Sequence, residues 1–414
     1  MHTQPLFHRN FTLMIVGQII SLLGNAVLRF ALSLYVLDLT GSSALFGGIL
    51  ALSMVPLVLC SPLGGALADR VPRQRIMVIL DFFTAALIIC FLILLKQSSS
   101  LPVITALLML LSAIQALYQP SVQASIPSLT GKEHLMAANG VVAQVQALAS
   151  LLGPIAGGFL YAYLGLFPIL LASAVCFFAS AVLELFLKIP FQKPASAASA
   201  LCQIKYDLTD ALHFLYIEHP SMFRLLLSLA ALNLFLSALF TVGLPFLIKT
   251  YLGFSSQLYG FAEGALGIGS ILGGLLSGIL ARCVSIHRAH RFLLGTALSL
   301  LPMGLILYFR FPALISYGII LFCVLLGMAC AVLFNIALQT YMQQKTPSIL
   351  LGKVASFVSA FCVCALPLGQ AMYGGLFQIF SNAPWIVLIF GAGVSLLLCR
   401  LTGRTLSQFF IPPA

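Results

Sequence analysis

Short stripes of hydrogen-bonding side chains interrupt four long apolar stretches of this sequence. Within each stripe the polar residues recur every three or four positions, so they share one face of a helix. Amide and hydroxyl groups on such a face can bind a ligand, or alternatively only hold neighbouring helices together. The stripes are Gln18, Ser21, Asn25 and Arg29; Ser112, Gln115, Gln119 and Gln123; Asn233, Ser237 and Thr241; and Asn335 with Gln339. The candidate ligand-binding residues are Gln18, Asn25, Arg29, Gln115, Gln119, Asn233, Asn335 and Gln339.

Two ionisable side chains, Arg29 and Glu263, lie deep within the apolar stretches. A charge at that depth needs a partner or water, so we hypothesise that the two are coupled, directly or through a ligand. Because a buried carboxyl group is hard to ionise, Glu263 is also the best candidate proton carrier; a fixed bridge between helices is the alternative. Asp38 and Glu184 fall at the ends of apolar stretches and are expected to be solvated.

The composition determines which elements position these residues. Of 414 residues, 61% are hydrophobic and 7% are charged, against about 25% charged in a typical soluble domain. Only a bilayer can accommodate so much apolar surface, and crossing it takes about 20 residues per helix. Continuous apolar runs, without the alternation of a β-barrel, therefore predict an all-α membrane protein with 12 transmembrane helices.

The predicted spans fall into two sets of six. They are 12–37, 43–68, 76–95, 102–124, 136–163 and 166–188, then 222–248, 256–281, 291–309, 313–341, 350–379 and 384–403. The polar interruption between the sets predicts a cytoplasmic linker. The expected domains are an N-terminal six-helix bundle at 1–188, the linker at 189–221 and a C-terminal six-helix bundle at 222–414.

The two sets are also related by an internal repeat with a constant offset of 213 residues. Gly65 matches Gly278, and Pro154 matches Pro367, without a gap between them. Parallel six-helix repeats are found in transporters whose substrate site lies at the repeat interface. The alternative is a hydrophobic bundle whose two halves are similar by chance.

The net charge of +11 is explained by topology. If the N-terminus is cytoplasmic, all but four of the 20 Lys and Arg lie in or beside cytoplasmic loops. The exceptions are Arg29, Lys96, Lys249 and Arg310. This asymmetry follows the positive-inside rule, so we expect both termini in the cytoplasm and no nucleic-acid partner.

The loop after the second span resembles the signature loop of the major facilitator superfamily. The matching residues are Gly65, Asp69, Arg70, Arg73 and Arg75. A latch of this kind needs a glycine for close packing and an acid that caps a helix or pairs with a base. We expect Arg73 and Arg75 to hold Asp81. Pro72 replaces the family glycine, which predicts a stiffer latch.

The fifth span resembles the antiporter motif of drug exporters in the same superfamily. Its matching residues are Gly140, Gly153, Pro154, Gly157 and Gly158, with Ala149 in place of a glycine. Small residues at this spacing form a smooth face against which another helix can pivot, and proline bends the span. The resemblance implies export; simple glycine packing is the alternative.

Shorter matches resemble macrolide-efflux-type members of the superfamily. They are Thr40-Gly41-Ser42, Pro120, Ile126-Pro127 and Ala138-Asn139. The resemblance implies the major facilitator fold, with two pseudo-symmetric six-helix bundles. Such relatives often have an acid after Gly24, where this chain has Asn25, so the usual proton-coupling group is in question.

These features together predict a transporter of the bacterial inner membrane that exports lipophilic, drug-like or macrolide-like molecules in exchange for protons. The expected partners are that small molecule, protons and the lipid bilayer, and the expected state is a monomer. The alternatives are a lysophospholipid flippase, a siderophore exporter, or a non-transporting sensor or assembly partner.

Enzymatic and cofactor-dependent activities find no support in the sequence. It lacks a phosphate-binding Gly-rich loop and a nucleophile or metal-ligand constellation, so we predict no enzyme activity, cofactor or metal. The nearest candidate for a metal site, His287 with His290, lies beside Arg288 and Arg291, and metal binding is not expected there.

Overall fold

The computed structural model describes residues 7–97, 101–130, 134–190, 200–280, 289–347 and 350–408, in which every regular element is helical. The first six helices are α1 (Arg9–Thr40), α2 (Ser43–Arg70), α3 (Arg73–Gln97), α4 (Leu101–Leu129), α5 (Leu135–Leu164) and α6 (Leu166–Leu185). The others are α7 (Ala200–His213), α8 (Pro220–Leu232), α9 (Ala238–Pro245), α10 (Ser256–Leu280), α11 (His290–Tyr308), α12 (Ala313–Lys345), α13 (Leu351–Ile379) and α14 (Trp385–Gln408). Three π-helical segments, Phe214–Glu218, Asn233–Ser237 and Phe246–Tyr251, follow α7, α8 and α9.

Twelve stretches of the described residues are long and apolar enough to cross a membrane, which confirms the predicted number. The seventh, Pro220–Tyr251, is composite and consists of α8, α9 and the two π-helical segments beside them. Helix α7 lies in the predicted linker and has only 14 residues. At 1.5 Å per residue it is shorter than the hydrocarbon layer, which is about 30 Å thick.

The chain divides into two units. Unit 1 comprises Met1–Thr40 and Leu52–Ala200, and unit 2 comprises Gly41–Ala51 and Leu201–Ala414. In unit 1, α1 packs against α5 and α6, and α3 packs against α4 and α6. In unit 2, the composite span packs against α13 and α14, and α11 packs against α12 and α14. Equivalent helices therefore meet within each unit, in agreement with the internal repeat.

Small residues bring α1 and α6 close together in unit 1. A Cβ atom at Gly24 would lie 2.9 Å from Cys176 Cβ, so a larger residue there would force the two helices apart. Two serines of α6 reinforce the contact, because Ser173 Oγ donates to Gly24 O (3.2 Å) and Ser180 Oγ donates to Gly17 O (3.1 Å). This packing places the last turn of α6 against α1.

Candidate functional site

Two carboxyl groups are buried in the interior of unit 1. Asp81 of α3 is 2% exposed, and Glu184 of α6 is fully buried at 0%. The prediction that Glu184 is solvated is wrong. A Cβ atom built at Gly17 of α1 would lie 3.5 Å from Glu184 Cγ, at van der Waals contact distance, so α1 covers the carboxyl group.

A tyrosine from a third helix binds one of these carboxyl groups. Tyr118 of α4 donates its hydroxyl proton to Glu184 Oε1 at 2.6 Å. Ser21 of α1 also lies within hydrogen-bonding reach of the Tyr118 hydroxyl. The site is therefore assembled from α1, α3, α4 and α6, and it joins groups that are far apart in the sequence.

The Asp81 carboxyl group lies beside a hydroxyl group that donates its proton elsewhere. The Ser180 hydroxyl lies against it, but that hydroxyl has a single proton and donates it to Gly17 O. Among the described residues, neither Asp81 Oδ2 nor Glu184 Oε2 has a hydrogen-bond partner, and both atoms are buried. Unpaired buried oxygens are uncommon and costly.

A cavity of about 40 Å³ lies beside Asp81. Its size is enough for about three water molecules. The lining combines hydrogen-bonding and apolar groups: Ser21, Leu22, Asn25, Asp81, Thr84, Leu111, Ile114, Gln115, Tyr118, Gln119 and Phe177. Three predicted ligand-binding residues, Asn25, Gln115 and Gln119, therefore meet in one site.

The other two predicted binding residues of α1 lie near this site without lining the cavity. Arg29 donates from Nη2 to Ser112 Oγ of α4 at 3.0 Å, so the polar stripes of α1 and α4 do contact each other. Gln18 is fully buried, and neither of its side-chain amide atoms has a hydrogen-bond partner within the described ranges.

The signature loop is arranged differently from the prediction. Arg73 donates to Ala124 O (2.7 Å) and Ser128 Oγ (2.6 Å) of α4, while Arg75 is exposed. Neither arginine pairs with Asp81 in the described part of the chain, so that predicted contact is wrong. Asp81 lies two turns inside α3 and faces the interior, beyond the reach of the loop.

Two neighbours in this loop have roles that the motif did not predict. Gln74 donates to Glu184 O (3.1 Å) and Leu185 O (2.9 Å), two carbonyls in the last turn of α6, where side chains often complete the hydrogen bonding. The close helix contact falls at Gly64, where a Cβ atom would lie 2.2 Å from Ala116 O, whereas nothing lies within 4 Å of one at Gly65. Arg70 is exposed, and the side chain of Asp69 lies outside the described residues.

The small residues of α5 pack against α1. A Cβ atom at Gly153 would lie 2.4 Å from Ala26 Cβ, and one at Gly157 would lie 2.9 Å from Phe30 Cδ1. Gly158 is buried beside them, and Pro154 lies within the helix, while Gly140 is exposed with open space around it. The smooth face of the motif thus extends along Gly153 and Gly157, and its use as a pivot stays a prediction.

Unit 2 holds the predicted proton carrier. Glu263 of α10 is half-buried, and its Oε1 accepts a hydrogen bond from Tyr259 of the same helix at 2.9 Å. Coupling between Arg29 and Glu263 joins residues of different units and stays a prediction.

The remaining binding candidates also lie in unit 2. Asn233 begins a π-helical segment and donates to Leu229 O at 3.1 Å; π-helical turns inside longer helices are frequent at functional sites. Asn335 is half-buried and Gln339 is exposed, both on α12.

A metal site finds no support among the residues that the structure describes, where no group of three or more His, Cys, Asp or Glu could hold an ion. His287, one of the histidines considered in the sequence, lies outside the described ranges.

Comparison with known proteins identifies the family. A sequence model of the Major Facilitator Superfamily matches residues 14–369. The chain belongs to this superfamily. Its members and the similar proteins below are membrane transporters rather than enzymes, which agrees with the prediction that this chain has no enzyme activity.

Curated relatives within the superfamily include exporters of two kinds. Macrolide efflux protein A of Streptococcus pyogenes is 25% identical over 364 residues, with 85% of each chain covered. An enterobactin exporter of Shigella boydii is 26% identical over 393 residues, which cover 89% of this chain and 85% of the relative.

Solved transporter structures share the fold. A bacterial homologue of the iron transporter ferroportin, in its inward-facing state, superposes with a TM-score of 0.72 at 19% identity. The match covers 96% of this chain and 100% of the homologue. Together with the helix count, this likeness confirms the predicted major facilitator fold.

Proposed function

We propose that this transporter exports lipophilic small molecules in exchange for protons by alternating access. The observation that carries the proposal is the convergence of the α1 and α4 polar stripes on one cavity with a buried acid, Asp81. At about 40 Å³ the cavity has room for water and a proton, and its amide, apolar and acidic groups would contact an amphiphile in a conformation that widens it. Alternating access requires that each ligand favour one conformation, because a ligand with equal affinity for both shifts neither.

The lining of the cavity supports a neutral or cationic substrate. Asn25, Gln115 and Gln119 provide neutral donors and acceptors, while Leu111, Ile114 and Phe177 provide apolar contact. An anionic ligand would face the Asp81 carboxyl group without a basic residue in the lining. The relationship to a macrolide efflux protein favours the same substrate class. Export of a siderophore is the second candidate, because the relatives include an enterobactin exporter.

The proposed driving force is proton influx, with Glu263 as a proton carrier in unit 2. The side chain lies in a membrane span with one tyrosine donor, and a carboxyl group in such a place is functional by default. The exporter is proposed to act as a monomer in the bacterial inner membrane with both termini in the cytoplasm. The excess of Lys and Arg in loops on one side supports this orientation.

The test is efflux of a preloaded cationic dye and of a labelled macrolide from cells, with and without an uncoupler. Wild type, Glu263→Gln and the control Glu218→Gln are compared; Glu218 is an exposed carboxylate at the end of the π-helical segment after α7. We expect uncoupler-sensitive efflux that Glu263→Gln loses and the control keeps. Efflux that survives Glu263→Gln would remove this residue from the mechanism, and efflux insensitive to the uncoupler would contradict proton coupling.

A further inference from the structure

We propose that Asp81 and Glu184 hold one exchangeable proton between them, and that this proton enters and leaves through the cavity beside Asp81. The proton site lies wholly within unit 1 and is separate from Glu263. This inference rests on the proposed function, since proton-driven export is what gives a second proton site its use.

The charges around the pair are the first argument. Glu184 interacts electrostatically with Asp81, and the other ionisable group that faces them is Tyr118 of α4. From α1 the neutral Ser21 reaches Tyr118, and α5 carries no charged residue. Two carboxylates without a base repel each other strongly in an apolar interior. One bound proton removes one charge and therefore the repulsion.

The unpartnered oxygens are the second argument. Tyr118 and Ser180 together offer two hydroxyl protons, of which Glu184 receives one and Gly17 O receives the other. No described side chain or backbone group donates to Asp81 Oδ2 or Glu184 Oε2. A proton on either carboxyl group supplies a new O–H donor at the place where donors are missing.

The residues one helical turn before and one turn after the carboxyl pair define the route of the proton. One turn before Gln18 and Asp81 lie Met14 and Met77, which belong to a buried apolar cluster with Phe11 and Val122. One turn after Asp81 lies Thr84, in the cavity lining. The carboxyl pair thus lies between an apolar cluster and a cavity of mixed polar and apolar lining that is large enough for water. The step moves one H⁺ between cavity water and a carboxyl oxygen, and no other bond changes.

The residues also explain why the proton is exchangeable. Asp81 lines the cavity, while Glu184 does not, so Asp81 is the point of exchange. Glu184 is held by Tyr118 from α4, whereas Asp81 is on α3 and Glu184 is on α6. A displacement between these helices would change the distances within the site, and with them the affinity for the proton.

Infrared spectroscopy of the full-length protein in lipid vesicles tests the proposal. The probe is the proton itself, read from the C=O stretching band of a protonated carboxyl group through a pH titration from mildly acidic to mildly basic. Wild type is compared with the double variant Asp81→Asn and Glu184→Gln. Glu263 is present in both proteins, so its bands cancel in the difference spectrum. The exposed-carboxyl variant Glu218→Gln is the matched control.

We expect the wild-type spectrum to contain a pH-dependent band equivalent to about one carboxyl group, which the double variant loses and Glu218→Gln keeps. A difference spectrum without a protonated-carboxyl band at any pH, or with a band that does not respond to pH, overturns the proposal. If the double variant does not fold, Tyr118→Phe replaces it. That variant keeps both carboxyl groups and removes one donor, so the band should shift in frequency, and an unshifted band contradicts the site.

Efflux by the same proteins separates this inference from the proposed function. A proton-binding pair in a protein whose efflux ignores the uncoupler would leave the pair standing and contradict proton-driven export. Uncoupler-sensitive efflux in a protein whose pair binds no exchangeable proton would support proton-driven export and contradict the proton-binding pair.

Discussion

The two units each place a tyrosine hydroxyl on a buried or half-buried glutamate, but they do so in different ways. In unit 1 the donor comes from another helix, because Tyr118 of α4 binds Glu184 of α6 at 2.6 Å. In unit 2 the donor comes from one turn away on the same helix, because Tyr259 binds Glu263 at 2.9 Å. The first contact depends on how two helices are packed, and the second does not.

This difference suggests a division of roles between the two sites. A bond between helices is made or broken when the helices shift, so the carboxyl pair of unit 1 can respond to a conformational change. A bond within one helix moves with the helix as a rigid body and keeps its geometry. We therefore expect the proton affinity of the carboxyl pair in unit 1 to change when the helices shift. Glu263 in unit 2 should keep the same protonation state during that shift.

The largest expected effect is on transport. Asp81→Asn removes the carboxyl group that lines the cavity, and we expect uncoupler-sensitive efflux to fall at least about tenfold, which corresponds to ~1.4 kcal/mol. The measurement is the initial rate of dye efflux at matched protein levels, with Glu218→Gln as the control. An unchanged rate in Asp81→Asn would assign the coupling to unit 2 alone.

The next largest effect concerns the packing that supports unit 1. In Gly64→Ala the new Cβ atom meets Ala116 O at 2.2 Å, whereas in Gly65→Ala it meets nothing within 4 Å. Because backbone cannot move aside as a flexible side chain can, we expect the first variant to lose about 1–3 kcal/mol of stability and the second to be nearly neutral. Thermal unfolding in detergent compares the two; equal stability would show that α2 and α4 are not packed this closely.

A smaller effect distinguishes the two tyrosines directly. Tyr118→Phe leaves a fully buried carboxyl oxygen without its donor, with an expected cost of about 1–3 kcal/mol. Tyr259→Phe removes the donor from Glu263, which is only half-buried, so its cost should be smaller, under about 1 kcal/mol. Denaturation of the two variants side by side provides the measurement, and a larger loss for Tyr259→Phe would reverse the comparison.

The smallest effect is expected for the ion pair between α7 and α13. Lys353 Nζ lies 2.6 Å from Asp210 Oδ2, and both side chains are about a quarter to a third exposed. Screening by solvent limits such a pair to about 0–1 kcal/mol. A double-mutant cycle with Lys353→Met and Asp210→Asn measures the coupling, which should weaken further in high salt. A coupling energy several times larger would mean that this pair, like the carboxyls of unit 1, behaves as a buried one.

The fold was predictable because the bilayer restricts the structures that a long apolar sequence can form. Continuous apolar stretches of about 20 residues have few alternatives to a transmembrane helix, and all twelve were found. Polar stripes such as Asn25 and Gln115 also predicted a shared cavity, since polar groups avoid lipid. What the periodicity could not supply was the identity of the neighbouring helix for each residue.

The carboxyl pair shows this limit most clearly. Glu184 lies near the end of its apolar stretch, which is where solvated acids are common, but α1 at Gly17 and Tyr118 of α4 pack against it and bury it. Asp81 was assigned to nearby arginines because they are close in sequence, whereas Arg73 in fact binds α4. A Tyr, an Asp and a Glu from three separate helices gave no common spacing in the sequence. The one available signal was the presence of two acids inside or beside spans that are otherwise almost free of charge.

The central claim is that a proton gradient drives export, and one measurement tests it most directly. Inside-out vesicles that contain the purified protein are given an acidic lumen, and accumulation of a labelled macrolide is followed with and without an ionophore that collapses the gradient. The account predicts accumulation that needs the gradient, disappears with the ionophore and is lost in Asp81→Asn. Equal accumulation with and without the gradient would contradict it.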